Sequence, residues 1–203
     1  MATQAQTLLE AENQAVLNAA LAELAPLKKY YPDITTDEGS HPFSECATFA
    51  DNIKAEGYDW QSGWHFIDQP YLMQGGTLAD FNFEMDTEDI KDCLSNLYEW
   101  LAGIGSEYEN STYYQQINAA FPYPADARSF ALRLIIHYVG DLHQPLHATS
   151  LVDYDYPEGD AGGNREYLPN ICGAYNLHAA WDSLAYNYCG YPDLVSQFLI
   201  IFH

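Results

Sequence analysis

The stretch DARSFALRLIIHYVGDLHQPLH, residues 126–147, contains the longest helical candidate in the chain, residues 126–144. Pro124 and Asp126 mark its start and Pro145 its end. His137 and Asp141 stand four residues apart within it, so a helix places imidazole and carboxylate on one face. The same spacing recurs in NLHAAWD, residues 176–182, as His178 and Asp182. One such pair is an ordinary structural device, a buried His satisfied by a carboxylate one turn away. Two pairs in apolar stretches, with His147 just past the Pro145 break, point instead to metal. Neutral imidazole and carboxylate are standard zinc ligands, at roughly 2.0–2.2 Å. Helix bundles build such sites from inward side chains of facing helices. Asp51, on the apolar face of an earlier helix, and His65, in the aromatic stretch WHFID, are further candidate ligands.

Outward from that helix the pattern stays helical. Residues 5–28 carry Leu8, Leu9, Val16, Leu17, Leu21 and Leu24 near a 3.6-residue period, with Pro32 beyond the end. ECATFADNIKAEG, residues 45–57, predicts a second helix stopped by Gly57. From there to Asp80, Pro70 and the Gly75-Gly76 pair predict a loop. Asp86 is the expected N-cap of a helix over roughly residues 87–103, with Leu94, Leu97, Tyr98 and Leu101 facing inward. A Gly- and Asp-rich loop covers roughly residues 150–174, and a final helix begins near Asn176. No repeat, linker or strong strand pattern interrupts this. The expectation is an all-α, single-domain, multi-helix bundle spanning residues 1–203.

At 203 residues the chain can bury a sizeable core, and 17 Tyr argue against disorder. The net charge is -22, with 7 Lys and Arg in all, which opposes a basic nucleic-acid footprint. A solvated acidic surface accounts for most of the acids, and divalent cations would offset some of them. Cys46, Cys93, Cys172 and Cys189 form no CxxC pair; they fit either two disulfides, in one of three pairings, or four buried thiols. Asn110-Ser111-Thr112 is a glycosylation sequon and hints at secretion. The polar opening MATQAQTLLEAEN is not a signal peptide, and no stretch has the roughly 20 apolar residues that cross a bilayer. The closing LVSQFLIIFH reads as an interrupted core segment. DYDYPEGDAGGN, residues 153–164, fails the EF-hand pattern because of Pro157 and the lack of a twelfth-position Glu. It reads as a turn-rich loop bent at Gly162-Gly163. His143 points to a different face from Asp141 and is expected to be structural; nothing supports a site role for His41 or His203.

FADNIK, WHFIDQPY, HYVGDLHQPLH, GDAGGN and NLHAAWDS occur in that order over roughly residues 46–185. Together they resemble the zinc-dependent single-strand-specific nucleases, the class I nucleases and 3′-nucleotidases that share a fold with zinc phospholipase C. The resemblance implies up to three zinc ions. Asp51, His65 and His137 would hold one, with Asp141 bridging to a neighbour, and His147, His178 and Asp182 would hold another. Lys54 matches the basic residue that steadies the phosphate, and Phe66 and Asp68 match residues that stack on and hydrogen-bond a nucleobase. The implied catalytic set is Asp51, Lys54 and Asp141. The implied reaction is hydrolysis of the P–O3′ bond of single-stranded DNA or RNA, or of a 3′-nucleotide, by a monomer with no membrane partner. Zinc would activate water and neutralise phosphate charge. Asp51, Asp141 and Asp182 contribute -3 against +4 for two zincs or +6 for three, so the cleft would be locally positive on an acidic protein.

In the family, the third zinc also takes an N-terminal Trp and a His a few residues later, and no counterpart precedes the first helix here. The chain is therefore expected to lack the family's N-terminal ligand segment, export signal and C-terminal end; the alternative is a variant keeping two zincs. The full-length protein would be secreted, lysosomal or vacuolar. Competing readings are a zinc phospholipase C, which HQPLH and HFID oppose, and an inactive metal-stabilised binding protein.

Overall fold

In the computed structural model, which describes residues 1–73, 75–171 and 174–183, the expected first helix is two. They are α1 (Ala2–Glu12) and α2 (Gln14–Tyr30). Asn13 breaks the run, and its side chain caps α2 by accepting from the Val16 amide at 3.3 Å. The break shifts the phase of the apolar seam, so Leu17 and Leu24 are buried while Leu8 and Val16 are exposed. The second expected helix is a chain of short turns. α3 (Pro42–Glu45) and α4 (Phe49–Asn52) alternate with 3-10 turns at Cys46–Thr48 and Ile53–Glu56. Gly57 ends it with φ +88°, a left-handed conformation that glycine adopts without strain. A further 3-10 segment, Asp59–His65, occupies the first part of the expected loop.

The next helix, α5 (Ile90–Ala102), is capped by Asp89 and not Asp86. Asp89 accepts from the Asp92 amide at 2.8 Å, and Gly103 closes the other end with φ +67°. The buried face is accordingly Ile90, Cys93, Leu97 and Trp100, and Tyr98 is exposed. α6 (Thr112–Ala120) is capped by the Ser111 hydroxyl, and α7 (Pro124–Asp141) begins on Pro124, ahead of the expected start at 126, and ends at Asp141, short of the expected 144. Four short strands depart from the expected loops. β1 (Gln69–Leu72) runs parallel to β2 (Thr149–Val152), and β3 (Tyr167–Ile171) runs antiparallel to β4 (Ala174–Asn176). At three to five residues they are too short to show a clear alternating pattern. α8 (Leu177–Ser183) follows β4 directly. The described residues are predominantly helical, with these two small sheets.

The chain divides into two compact units. The first comprises residues 1–66 and 88–143. In it α7 packs against α2, α5, α6 and α4, burying Phe130, Leu134 and Tyr138 among Leu24, Leu27, Phe49, Leu97 and Ile117. The second comprises the described residues of 67–87 and from Gln144 onward, and holds both sheets and α8. In it Ile67 donates to the His147 carbonyl at 2.9 Å and Gln69 to the Ala148 carbonyl at 3.1 Å, extending the β1–β2 pairing.

Cys46 and Cys93 are buried free thiols. Cys172, Cys189, His203 and the LVSQFLIIFH segment lie outside the described residues. No described helix is long and apolar enough to cross a membrane.

Arg133, on α7, is completely buried. Its Nε and Nη2 donate to the two Glu38 carboxylate oxygens at 2.6 and 2.7 Å. Nη1 donates to the Ser129 carbonyl and hydroxyl at 3.1 and 2.8 Å, and Nη2 also donates to the Leu24 carbonyl at 3.1 Å. All the donors of the guanidinium are thereby used. Replacing Arg133 by Met strands the Glu38 carboxylate in the core, and the predicted loss is about 3–5 kcal/mol. Adding Glu38→Leu should recover much of it, because the stranded charge is gone. Denaturant unfolding of the single and double variants checks this; a single variant as stable as the parent contradicts it.

Candidate metal centres

His137 and Asp141 occupy successive turns of α7, and the 3-10 segment ending at His65 brings a second imidazole against them. Asp141 Oδ2 lies 2.7 Å from His65 Nδ1 and 3.1 Å from His137 Nε2. Asp51, from α4, reaches the same place: its oxygens lie 3.9 Å from His65 Nδ1 and 3.6 Å from His137 Nε2. The ligand atoms of Asp51, His65 and His137 all fall within 4.8 Å of one another. Both imidazoles are buried, while Asp51 is exposed.

What faces inward is decided by what each ring does on its other side. His137 Nδ1 lies 2.6 Å from the Ala47 carbonyl, which can only accept, so Nδ1 carries the proton and Nε2 presents a lone pair. His65 Nε2 lies 2.9 Å from Gln61 Oε1, which leaves Nδ1 inward. Two lone pairs and two carboxylates therefore converge, an arrangement that suits a cation and not a neutral core. The two carboxylates also pull on the charge state of the rings. Burial disfavours the His137 imidazolium, but the hydrogen bond and charge of Asp141, with the charge of Asp51, outweigh it and raise its pKa. Burial lowers the pKa of His65 against the pull of Asp141. Burial would raise Asp51, yet the charges of His137 and Lys54 bring it below its usual value.

The second unit assembles His147, His178 and Asp182, again with ligand atoms within 4.8 Å of one another. Asp182 lies one turn after His178 on α8, its oxygens 3.6 Å from His178 Nε2 and 3.9 Å from His147 Nε2. His178 Nδ1 bonds the Gly162 carbonyl at 2.8 Å, which turns its Nε2 toward Asp182. GDAGGN is what puts that carbonyl in place. The buried Asp160 carboxylate accepts from the Leu151 amide at 2.8 Å and the Ser150 hydroxyl at 3.2 Å. The chain then turns through Ala161, Gly162 and Gly163, all with positive φ. A Cβ on Gly162 would fall 2.2 Å from the Leu146 carbonyl oxygen, so that position admits glycine alone.

The remaining expected residues are placed as follows. Lys54 Nζ is 2.8 Å from Asp51 Oδ1, at the edge of the first cluster. Phe66 sits tilted against His65, with ring centres 5.9 Å apart, and its carbonyl accepts from the Ile90 amide. Asp68, in the second unit, has φ +43° and a buried Oδ1 without a hydrogen-bond partner. His143 is exposed and bonds the Val139 carbonyl, and His41 lies 3.2 Å from the Gln6 amide nitrogen; neither enters a cluster. Two glutamines escaped the sequence reading. Gln61 stands four residues before His65, the same one-turn spacing as the His and Asp pairs. Gln144 accepts from the Leu146 amide at 2.6 Å, which aims its Nε2 at Asp182 Oδ1, 2.9 Å away.

Burial, with the charges of Asp86 and Asp160, pushes the Asp68 carboxyl up to about 6. In the unfolded chain it titrates near about 3.9. The folded state thus favours the neutral acid, a contribution present below about pH 3.9 and lost as pH rises through about 6. Asp68→Asn, which stays neutral, should raise the melting temperature relative to the parent more at about pH 7.5 than at about pH 4. An equal difference at both pH values contradicts the assignment.

Comparison with known proteins supplies independent information. The chain is similar to Endonuclease 5 of Arabidopsis thaliana, 28% identical over 165 residues, covering 79% of this chain and 48% of that protein. It is similar to Endonuclease 3 of the same plant, 28% identical over 163 residues, with 78% and 46% covered. It is 27% identical over 158 residues to Nuclease S1 of Aspergillus oryzae, with 77% and 46% covered. The chain therefore spans about half the length of the curated relatives it matches. The S1/P1 nuclease profile extends over residues 1–191, taking in every residue of both clusters, and the chain belongs to the S1/P1 nuclease family.

Proposed function

We propose that this chain carries the zinc-binding part of a nuclease that hydrolyses phosphodiester bonds in single-stranded DNA or RNA, releasing 5′-mononucleotides. A 3′-nucleotidase action on 3′-nucleotides accompanies it. The observation that carries this reading is the pair of His and Asp clusters in which ring N–H groups are held by fixed carbonyls, leaving lone pairs facing carboxylates. That donor set of imidazole nitrogen and carboxylate oxygen fits zinc. Asp51, His65 and His137 would hold one ion, with Asp141 beside them, and His147, His178 and Asp182 would hold another. Asp141 would be the residue that bridges from the first ion to a neighbour. When bound, zinc supplies Lewis acidity that makes water nucleophilic near neutral pH and stabilises negative charge on phosphorus oxygens.

The chain's own residues do the rest. The Lys54 ammonium, held beside Asp51, places a positive charge where a phosphate approaches. Phe66 offers a ring face to an unstacked base, and the Asp68 carboxylate accepts a hydrogen bond from the base edge. An unstacked base is available in a single strand and costly in a duplex, which is the source of strand preference. The net charge of -22 governs distant steering and not these local centres. The protein acts as a monomer outside the cytosol, and the exposed Asn110 is available for glycosylation.

His137→Ala and His178→Ala should each remove one zinc and lower hydrolysis of single-stranded DNA by at least about 100-fold. Chelation should abolish activity and zinc restore it. Ligands must be deprotonated to bind, and His137 holds its proton more tightly than usual, so zinc affinity should weaken as pH falls below neutral. Zinc content by mass spectrometry and a single-strand cleavage assay check these outcomes; chelator-insensitive turnover would falsify the proposal.

A further inference from the structure

The strongest unexplained group beside the first cluster is Gln61, fully buried and four residues before His65. Its amide orientation can be read from one unambiguous neighbour. The Ala50 carbonyl only accepts, and it lies 2.7 Å from the Gln61 amide nitrogen. The NH2 end of the amide therefore faces Ala50, and Oε1 faces the other way. Two groups meet that oxygen: the Tyr138 hydroxyl, which donates to it, and His65 Nε2 at 2.9 Å. An acceptor at Nε2 requires a proton on Nε2.

The opposing influence is also present. Asp141 Oδ2, 2.7 Å from His65 Nδ1, would by itself favour a proton on Nδ1. That tautomer would turn the lone pair away from the cluster and into Oε1 of Gln61. Flipping the amide would relieve that clash but would set Oε1 against the Ala50 carbonyl.

We infer that Gln61 is a positioning residue: anchored on the Ala50 carbonyl and Tyr138, it fixes the His65 tautomer so that Nδ1, and not Nε2, is offered to the metal. The inference rests on the proposal that this cluster holds zinc. The Ala50 anchor has a second consequence. Ala50 precedes Asp51, so one amide ties the backbone beside the carboxylate ligand to the orientation of the imidazole ligand.

The test compares the parent with Gln61→Met, which keeps volume but offers His65 no comparable acceptor, and Gln61→Glu, which as the buried neutral acid keeps an acceptor for His65 and a donor for the Ala50 carbonyl. Long-range 1H–15N NMR of the histidine rings in chelator-stripped protein at neutral pH reads the tautomer without any zinc present. The expected result is an Nε2–H signature for His65 in the parent and in Gln61→Glu, and an Nδ1–H signature in Gln61→Met. Zinc competition titration should show the affinity of this cluster falling about 10–100-fold in Gln61→Met and staying within a few-fold of the parent in Gln61→Glu. An Nδ1–H parent overturns the inference. So does a Met variant with unchanged tautomer and affinity, or a Glu variant as weak as Met, which would mark a packing role. A parent that binds no zinc overturns the proposed function, while the metal-free tautomer still decides the role of Gln61.

Discussion

One helix face organises the first unit. Ser129, Arg133, His137 and Asp141 follow one another at four-residue intervals along α7, a polar stripe running through an apolar core. Such a stripe is tolerable because each member is satisfied. The guanidinium of Arg133 is held by Glu38, by Ser129 and by the Leu24 carbonyl of α2. Ser129 also bonds that Leu24 carbonyl at 2.8 Å and accepts from the Leu27 amide at 3.3 Å. These bonds fix the rotation and depth of α7 against α2. The next turn then delivers His137 to the Ala47 carbonyl, and the turn after it delivers Asp141 to the cluster. A buried ion pair of this kind is worth little as net stability, and its value lies in setting a unique arrangement.

Both centres use the same physical device. A ring nitrogen is protonated and tied to a carbonyl oxygen that the fold holds still: the Ala47 backbone for His137, the Gln61 amide for His65, the Gly162 backbone for His178. The other nitrogen is left to face carboxylates. The carbonyls come from different local structures, a 3-10 turn for Ala47 and a left-handed loop for Gly162, so each had to be built separately. Glutamines aid both centres. Gln61 holds an imidazole and Gln144 a carboxylate, and each amide is itself oriented by a backbone group. The acidic surface elsewhere does not bear on this chemistry, because short-range contacts dominate inside a partly buried site.

The clustering of the His and Asp residues was largely legible because it depends on short-range spacing. His137 with Asp141 and His178 with Asp182 are one turn apart, and Pro124 and Pro145 bracket the helix that matters most. What could not be read was decided by tertiary contact or by near-degenerate local choices. The first helix breaks at Asn13 although the Ala- and Leu-rich pattern continues on both sides. DTED offers two Asp residues that can cap α5, and burial of Ile90, Cys93 and Trp100 selects Asp89. Four strands of three to five residues lack the length to show alternation. The role of Gln61 depends on the Ala50 carbonyl 11 residues away, which no local pattern reveals. GDAGGN was read correctly as a turn, but its task of presenting the Gly162 carbonyl to His178 emerges in three dimensions alone.

The central claim is that these two clusters are metal centres. Anomalous diffraction from zinc-equilibrated crystals, recorded on both sides of the zinc absorption edge, tests it most directly. The account predicts one edge-dependent peak among Asp51, His65, His137 and Asp141, with Nδ1 of His65 and Nε2 of His137 turned toward it, and another among His147, His178 and Asp182. Crystals equilibrated with zinc that show no anomalous density at either cluster would contradict it.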